Sequence, residues 1–429
     1  MHCISILRSI LISLFLTGAL TVSAGEPDKF ALKDGQTVVF VGDSNTYADQ
    51  FIQYLDAYLF TRFPDKHFHL INRGMPSETV AGTSEPTHQP PRPDLHTRFS
   101  RTVPPLNPDL VVACYGMNDG IYLPPNEETF AKYRDGIEWL IMSVRQETHA
   151  SLTLLTPPPF DPLPYESKPV TDPPDWRRPA SDYDSTLTQF SKWLLTWRKE
   201  GMKVVDIHLA VHELLRARRL TEPQFILASD GVHLGPTGHW LMAQEILRAW
   251  RAPSLVAKAS VSVSTGKASP GISNFNGIAA GPISFDWAHP LPMPLDPNWD
   301  TNMLVLADTT SRFDRLTLRV AGLRAPRYIL RAADVTMTTL DKEMIEAGLD
   351  LNRYPAFPDF DASREVLTLV QKRRLILRDV WVRSDPHPRL AGMAEATVTT
   401  LEDADALETR IRQLCQPPPM RIELIPAGP

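Results

Sequence analysis

Five short apolar runs, interspersed with stretches of helical spacing, constrain this chain more than any other feature. Thr37 to Val41 closes at Gly42 and His67 to Ile71 closes near Gly74; Leu110 to Tyr115, Ser151 to Thr156 and Lys203 to Ile207 follow. Between them Phe51, Leu55, Tyr58 and Leu59 recur at helical intervals. So do Phe130, Tyr133, Ile137, Leu140, Ile141 and Val144, opened by Asn126 as N-cap, and then Tyr183, Leu187, Phe190, Leu194 and Trp197, closed by Gly201. Strands that are apolar throughout have no face to give to water. The pattern therefore predicts an α/β architecture with a parallel sheet covered by helices on both sides. Such sheets bind ligands beyond the carboxyl ends of their strands, so the residues just after each run are where chemistry is expected.

Four polar clusters follow in chain order, at least three of them in such positions. Gly42-Asp43-Ser44-Asn45-Thr46 puts a hydroxyl at a turn into a helix, a place where Ser and Asp also serve as ordinary caps. Asn72 to Thr79 follows the second strand and Gly116-Met117-Asn118-Asp119-Gly120 the third. A glycine offers a backbone N–H with room for close approach and an asparagine a neutral donor, both useful to a developing oxyanion. The fourth cluster, Ser229 to Gly235, carries Asp230 three residues before His233, a spacing that lets a carboxylate orient an imidazole. Each cluster alone reads as a turn. Together, in chain order, they supply nucleophile, oxyanion donors, orienting acid and base.

On Gly42-Asp43-Ser44, Gly74, Gly116-Met117-Asn118-Asp119 and Asp230-Gly231-Val232-His233, the chain resembles the SGNH hydrolases, also called GDSL esterases, over roughly residues 35–252. The resemblance implies a flavodoxin-like α/β/α fold, Ser44 as nucleophile, His233 as general base and Asp230 as its orienter. It also implies an oxyanion hole from the Ser44 N–H, the Gly74 N–H and the Asn118 side chain, with Asp43 and Asp119 in support; Asp119 is read as bracing its loop. The longer phrases Asn72 to Gly82, Arg92 to His96 and Ala113 to Tyr122 are similar to a secreted bacterial subgroup, common in planctomycetes, with a C-terminal extension.

Charge and composition narrow the partners. Lys and Arg number 44 against 50 Asp and Glu, a net charge of −6, which leaves no cationic surplus for nucleic acid. Arg8, the apolar run from Ser9 to Leu20 and the small residues Val22-Ser23-Ala24 read as a cleaved export signal over residues 1–24. The run is well short of the ~20 residues that span a bilayer, so no stable membrane insertion is expected after cleavage. Cys114 sits in an apolar run, and pairing with the distant Cys415 is left open. No cofactor or metal is called for; His208 and His212 share a helical face but lack the glutamate of a zinc-protease motif, and are expected on a helix surface.

Proline makes up 40 of the 429 residues, nearly double the ~5% of average usage. Nine prolines fall between Pro157 and Pro179, directly after the fourth strand, and are expected to form a stiff rim beside Ser44. Met117, Tyr122, Pro157, Phe160, Tyr165 and Trp176 are the expected lining residues. The segment Thr87 to Pro108, with His88, Arg92 and His96, is the other candidate rim.

The expected organisation is a hydrolase domain over 25–252 and an α+β extension over 253–429 with no recognisable chemistry. In the extension, Ser254 to Ser273 reads as a linker or poor edge strand, and Leu316 to Val320 with Tyr328 to Arg331 as a hairpin. Asp341 to Gly348, Arg364 to Arg378 and Leu401 to Leu414 read as helices, and Arg421 to Ile425 as a last strand. Asn298-Trp299-Asp300 and Phe285-Asp286-Trp287 read as packing anchors more than as sugar platforms. The functional expectation is an exported serine esterase acting on a small-molecule or polysaccharide ester, most readily a deacetylase of carbohydrate. Alternatives are a lipase- or thioesterase-like acylhydrolase, or a non-catalytic carbohydrate-binding protein on the same fold.

Overall fold

The computed structural model describes residues 30–166, 173–277, 281–394 and 397–428. The leader expected at residues 1–24 lies outside the described residues, as does Pro169 of the proline-rich stretch. Five strands, β1 (Thr37–Gly42), β2 (His69–Asn72), β3 (Leu110–Cys114), β4 (Ser151–Leu155) and β5 (Lys203–Val205), form a parallel sheet in the order β2-β1-β3-β4-β5. The alternation of strand side chains assigns β1 to two cores at once. Val38 and Phe40 pack with the helices Gln50–Arg62 and Pro236–Ala249, while Val39 and Val41 pack with Glu127–Glu147 and Tyr183–Thr196. This is the three-layer α/β/α arrangement. Because β1 has β2 on one side and β3 on the other, the direction of winding reverses between β1 and β3. Their carboxyl ends flank the crevice that such a reversal opens.

The local signals act as their chemistry predicts. Asn126 caps Glu127–Glu147 by accepting from the Thr129 N–H at 2.9 Å, and Gly201 ends its segment in the left-handed conformation at φ 79°. Pro236 opens its helix at the position where a missing N–H costs nothing. Cys114 and Cys415 are both free and buried.

Beyond Trp250 the elements differ from those expected. Residues 255–262 are neither linker nor edge: β6 (Leu255–Ser262) lies inside a four-stranded sheet with β7 (Lys267–Ala268), β10 (Arg315–Ala321) and β13 (Leu349–Asp350), in the order β13-β10-β6-β7. The expected hairpin does not form. β10 pairs in parallel with β6, whereas β11 (Arg327–Ala332) belongs to a second, antiparallel sheet with β12 (Val335–Asp341), β14 (Met420–Pro426), β9 (Ile283–Trp287) and β8 (Ile272–Gly277). Gly322, at φ 83°, turns the chain from one sheet into the other. Phe285, Leu318, Tyr328 and Leu330 fill the core between these sheets.

The helix Asp359–Ser384 lies against the helix Gln50–Arg62, and Leu401–Leu414 packs on Asp359–Ser384. The contact is hydrophobic and ionic. Val366, Val370 and Ile411 join the core of Phe51 and Trp240, and Arg374 donates to both carboxylate oxygens of Asp49 at 2.7 and 2.8 Å with all partners buried. Trp299 stacks on Trp240 at 4.6 Å and is a packing anchor, as is Trp287. No helix among the described residues is long and apolar enough to cross a membrane.

Candidate active site

Ser44 is placed by the turn from β1 into the short helix Ser44–Tyr47. Asp43 caps that helix, its Oδ1 accepting from the Asn45 N–H at 2.9 Å. A Cβ on Gly42 would fall 2.6 Å from the Cys114 carbonyl oxygen, so only glycine lets the turn lie this close to β3. Ser44 Oγ stands 2.8 Å from His233 Nε2, and His233 Nδ1 stands 2.6 Å from Asp230 Oδ2. The other Asp230 oxygen accepts from the backbone N–H groups of His233 and Val232 at 2.8 and 3.0 Å.

Two clamps hold the histidine loop against the serine turn. Asn45 donates from Nδ2 to the Val232 carbonyl and accepts from the Leu234 N–H, both at 3.2 Å, so the residue after the serine fixes the loop on either side of His233. From the proline-rich segment, the Asp161 N–H donates to the Gly231 carbonyl at 2.9 Å and the Tyr165 hydroxyl to the Asp230 carbonyl at 2.8 Å.

The electrostatics follow from these contacts. Burial works to raise the Asp230 carboxyl, but the hydrogen bonds from His233 and Val232 prevail and hold it far below the ordinary carboxylate range. The bond to Asp230 raises His233 above its ordinary 6.5, against the pull of burial. An imidazole that donates from Nδ1 to a fixed carboxylate presents its Nε2 lone pair to the serine hydroxyl. Asp43 is pushed up to about 6 and Asp119 to about 7, each chiefly by burial.

Asn118 is oriented by its oxygen. Its Oδ1 accepts from the Tyr122 hydroxyl at 3.0 Å and from Arg92 at 3.1 Å, which fixes which end of the amide donates. One N–H of Nδ2 goes to the Glu78 carbonyl at 3.2 Å, and the other is left for the cavity. Arg92 is itself held by a bidentate bond to Glu85 at 2.6 and 2.8 Å. Asp119 accepts from the Val80 and Ala81 N–H groups at 2.8 and 3.0 Å, bracing the loop after β2.

Gly74 is used differently from expectation. Its N–H donates to Asn72 Oδ1 at 2.7 Å, and a Cβ there would lie 2.5 Å from the Tyr47 nitrogen. Gly74 serves the close packing of this loop on the serine turn, and its donor is spent. Among the described residues, Ser77, half-buried, is the one in this loop with an unpartnered N–H beside Ser44. It lines the same cavity as Ser44 and Asn118, sits at φ 65°, and its N–H has no hydrogen-bond partner among the described residues. A serine in a left-handed turn gives little sign of this in sequence.

These groups open onto a cavity of about 700 Å³. Tyr122, Tyr165 and Trp176 line it; Met117, Pro157 and Phe160 do not. Met117 and Phe160 are buried in the core on that face of the sheet, and Pro157 packs on Gly116. Of the second rim, His88 and Arg92 line the cavity, whereas His96 lies against Trp139. Arg177 and, from far along the chain, Arg389 also line the cavity, neither of them expected from sequence. His208 is buried and bonded to Thr188 at 2.9 Å, not on a helix surface.

Residues 40–241 match the family described as GDSL-like lipase/acylhydrolase. A gut microbial diltiazem-metabolizing enzyme is 20% identical, with a TM-score of 0.73 over 92% of this chain and 98% of that one, so the two share a fold through both the parallel sheet and the C-terminal third. An acetylxylan esterase from Geobacillus stearothermophilus is 21% identical over 51% of this chain and 96% of its own, with a TM-score of 0.37. A search of curated proteins found no match.

Proposed function

We propose that this chain, whose residues 40–241 belong to the GDSL-like lipase/acylhydrolase family and make it a carboxylic ester hydrolase, works through an acyl-enzyme on Ser44. The observation that carries the reading is the continuous chain of hydrogen bonds from Ser44 Oγ through His233 to Asp230, ending in a cavity with unspent donors. His233 Nε2 takes the serine proton as Oγ attacks the ester carbonyl, and returns it to the leaving alcohol. Asp230 holds the imidazole in the required tautomer and stabilises the imidazolium. The tetrahedral oxyanion is received by the Ser44 N–H and Asn118 Nδ2, with the Ser77 N–H in the place expected of Gly74. Water, activated by the same histidine, then releases the acid.

The proposed organisation is a hydrolase domain over 25–252 and an extension over 253–429, with residues 1–24 as an export signal. A short acyl group on a carbohydrate is the proposed substrate. Trp176 and Tyr165 bring aromatic side chains to the cavity, as a sugar site would use, and lining arginines suit a long alkyl chain poorly.

The test is hydrolysis of p-nitrophenyl acetate beside longer acyl esters, by the wild type and by Ser44→Ala. The variant is expected to lose about 10⁴-fold or more in kcat while keeping the wild-type melting temperature. Equal rates would refute the mechanism, and a strong preference for long acyl chains would replace the carbohydrate with a lipid-like substrate.

A further inference from the structure

We propose that the substrate carries a negative charge of its own, a carboxylate as on an acidic sugar, and that Arg389 from the C-terminal third is the residue that selects it; this rests on the esterase reading of the Ser44 site.

The cavity's charge runs against that of the molecule. The chain as a whole is at −6, yet among the described residues three arginines, Arg92, Arg177 and Arg389, line the cavity against a single carboxylate, Asp230. That carboxylate is already occupied by His233 and two backbone N–H groups. Burial lowers His88, which leaves it neutral at pH 7.

The three arginines are not equivalent. Arg92 is matched by the bidentate bond to buried Glu85 and is engaged with Asn118. Arg177 lies over the Trp176 ring at 4.9 Å, with Asp175 3.9 Å away. Arg389 has no carboxylate partner among the described residues; one of its guanidinium nitrogens donates to Ser77 Oγ at 2.7 Å. A guanidinium carries five N–H donors, so the bond to Ser77 leaves most of its capacity for a ligand in the cavity that Arg389 lines. Burial, with the Arg92 cation nearby, pulls Arg389 below its ordinary pKa, so a bound anion would relieve a cost the free protein carries.

The placement is built, not incidental. Arg389 sits in the short turn Pro388–Leu390, where its own N–H donates to His387 Nδ1 at 3.1 Å. Leu390 is buried with Met75, Trp381 and Val382, a small apolar cluster that fastens the turn to the loop after β2. The anchor therefore holds the backbone while the charged head reaches Ser77, which lines the same cavity. A planar fork at that point suits a carboxylate, which it can bind through two parallel hydrogen bonds.

The experiment reads binding in full-length Ser44→Ala protein, where turnover cannot interfere. Calorimetry compares an O-acetylated oligogalacturonide with the same oligomer after methyl esterification of its carboxylates, then repeats both with Arg389→Ala and with Arg389→Lys added. The charged form is expected to bind at least about tenfold tighter. Arg389→Ala is expected to cost it about tenfold more than it costs the neutral form, with Arg389→Lys intermediate and the preference shrinking as salt is raised. Equal affinity for the two forms, equal losses on substitution, or no binding of either form would overturn the inference. If the charge preference holds but wild-type protein hydrolyses no ester, the esterase reading alone fails; turnover of p-nitrophenyl acetate without charge preference fails this inference alone.

Discussion

Asp230 is held as a carboxylate, and that charge sets the pH at which His233 can work. The hydrogen bond to Asp230 raises the imidazole above 6.5, and a general base must be neutral. Activity should therefore rise with pH through this raised value and fall away below it. In Asp230→Asn the raising contact is gone and burial, which favours the neutral ring, remains. The acid limb of kcat/KM is then expected to move to lower pH while kcat drops about 10³–10⁴-fold. A pH–rate profile of the two proteins checks both; a limb that stays in place would assign it to another group. The convergence of Ser44, Asn118, Asp230 and His233 on one cavity was legible in sequence because their signals are local: a residue just past a strand, or a carboxylate three residues before its histidine. Ser77 and Arg389 could not be read there, since one depends on a left-handed backbone and the other on a contact spanning 312 residues. Gly74 shows the limit of reading a glycine as a donor. Its missing Cβ answers a packing demand from Tyr47, and its N–H is taken by Asn72.

Elements were legible where burial alone fixes their form. β1 and β3 are apolar at nearly every position because both of their faces are covered. The sequence signal for β10 is weaker in kind. Alternation shows which side chains of Leu316 to Val320 face a core but says nothing of the partner, and the partner is β6 in parallel, not the neighbouring β11. The helix Asp359–Ser384 was seen in part, and its bearing on the site not at all. Arg374, near its middle, neutralises Asp49, which sits at φ 67° at the start of Gln50–Arg62 and also accepts from Asn72 Nδ2 at 2.9 Å. Asn72 in turn takes the Gly74 N–H, so this ion pair underlies the loop that carries Ser77. Arg374→Met would leave Asp49 and Asp56 buried without their shared cation. The expected cost is about 3–5 kcal/mol, measured by urea unfolding. Adding Asp49→Asn, which removes one stranded charge, should recover part of it. A loss below about 1 kcal/mol would mean that water reaches the carboxylates and the pair is not a keystone of this loop.

At the scale of the molecule, the parallel sheet and the C-terminal third share one core. Trp240, from the helix that follows His233, is covered by Trp299 and edged by Phe313, and Tyr54 of the helix Gln50–Arg62 meets Trp299 at 4.9 Å while its hydroxyl donates to Asp296 at 2.8 Å. Arg62 of the same helix donates to the carbonyls of Pro253 and Phe313. A chain of residues 25–252 alone would turn these aromatic faces to water and strand Asp49, Asp56 and Arg62 without the groups that satisfy them. Exposed aromatic surface drives association, and unpaired buried charge forces local opening. The truncated protein is therefore expected to aggregate or to lose near-ultraviolet circular dichroism while keeping much of its far-ultraviolet signal. The full chain, having a common core, is expected to unfold in one transition, with ester hydrolysis, tryptophan fluorescence and far-ultraviolet circular dichroism falling together in urea. Two separated transitions, or a truncated protein that is monomeric and as active on p-nitrophenyl acetate as the full chain, would refute the shared core. The alternative, a self-sufficient hydrolase with an appended module, would also leave Leu390 and its cluster no reason to pack on Met75, two residues before Ser77.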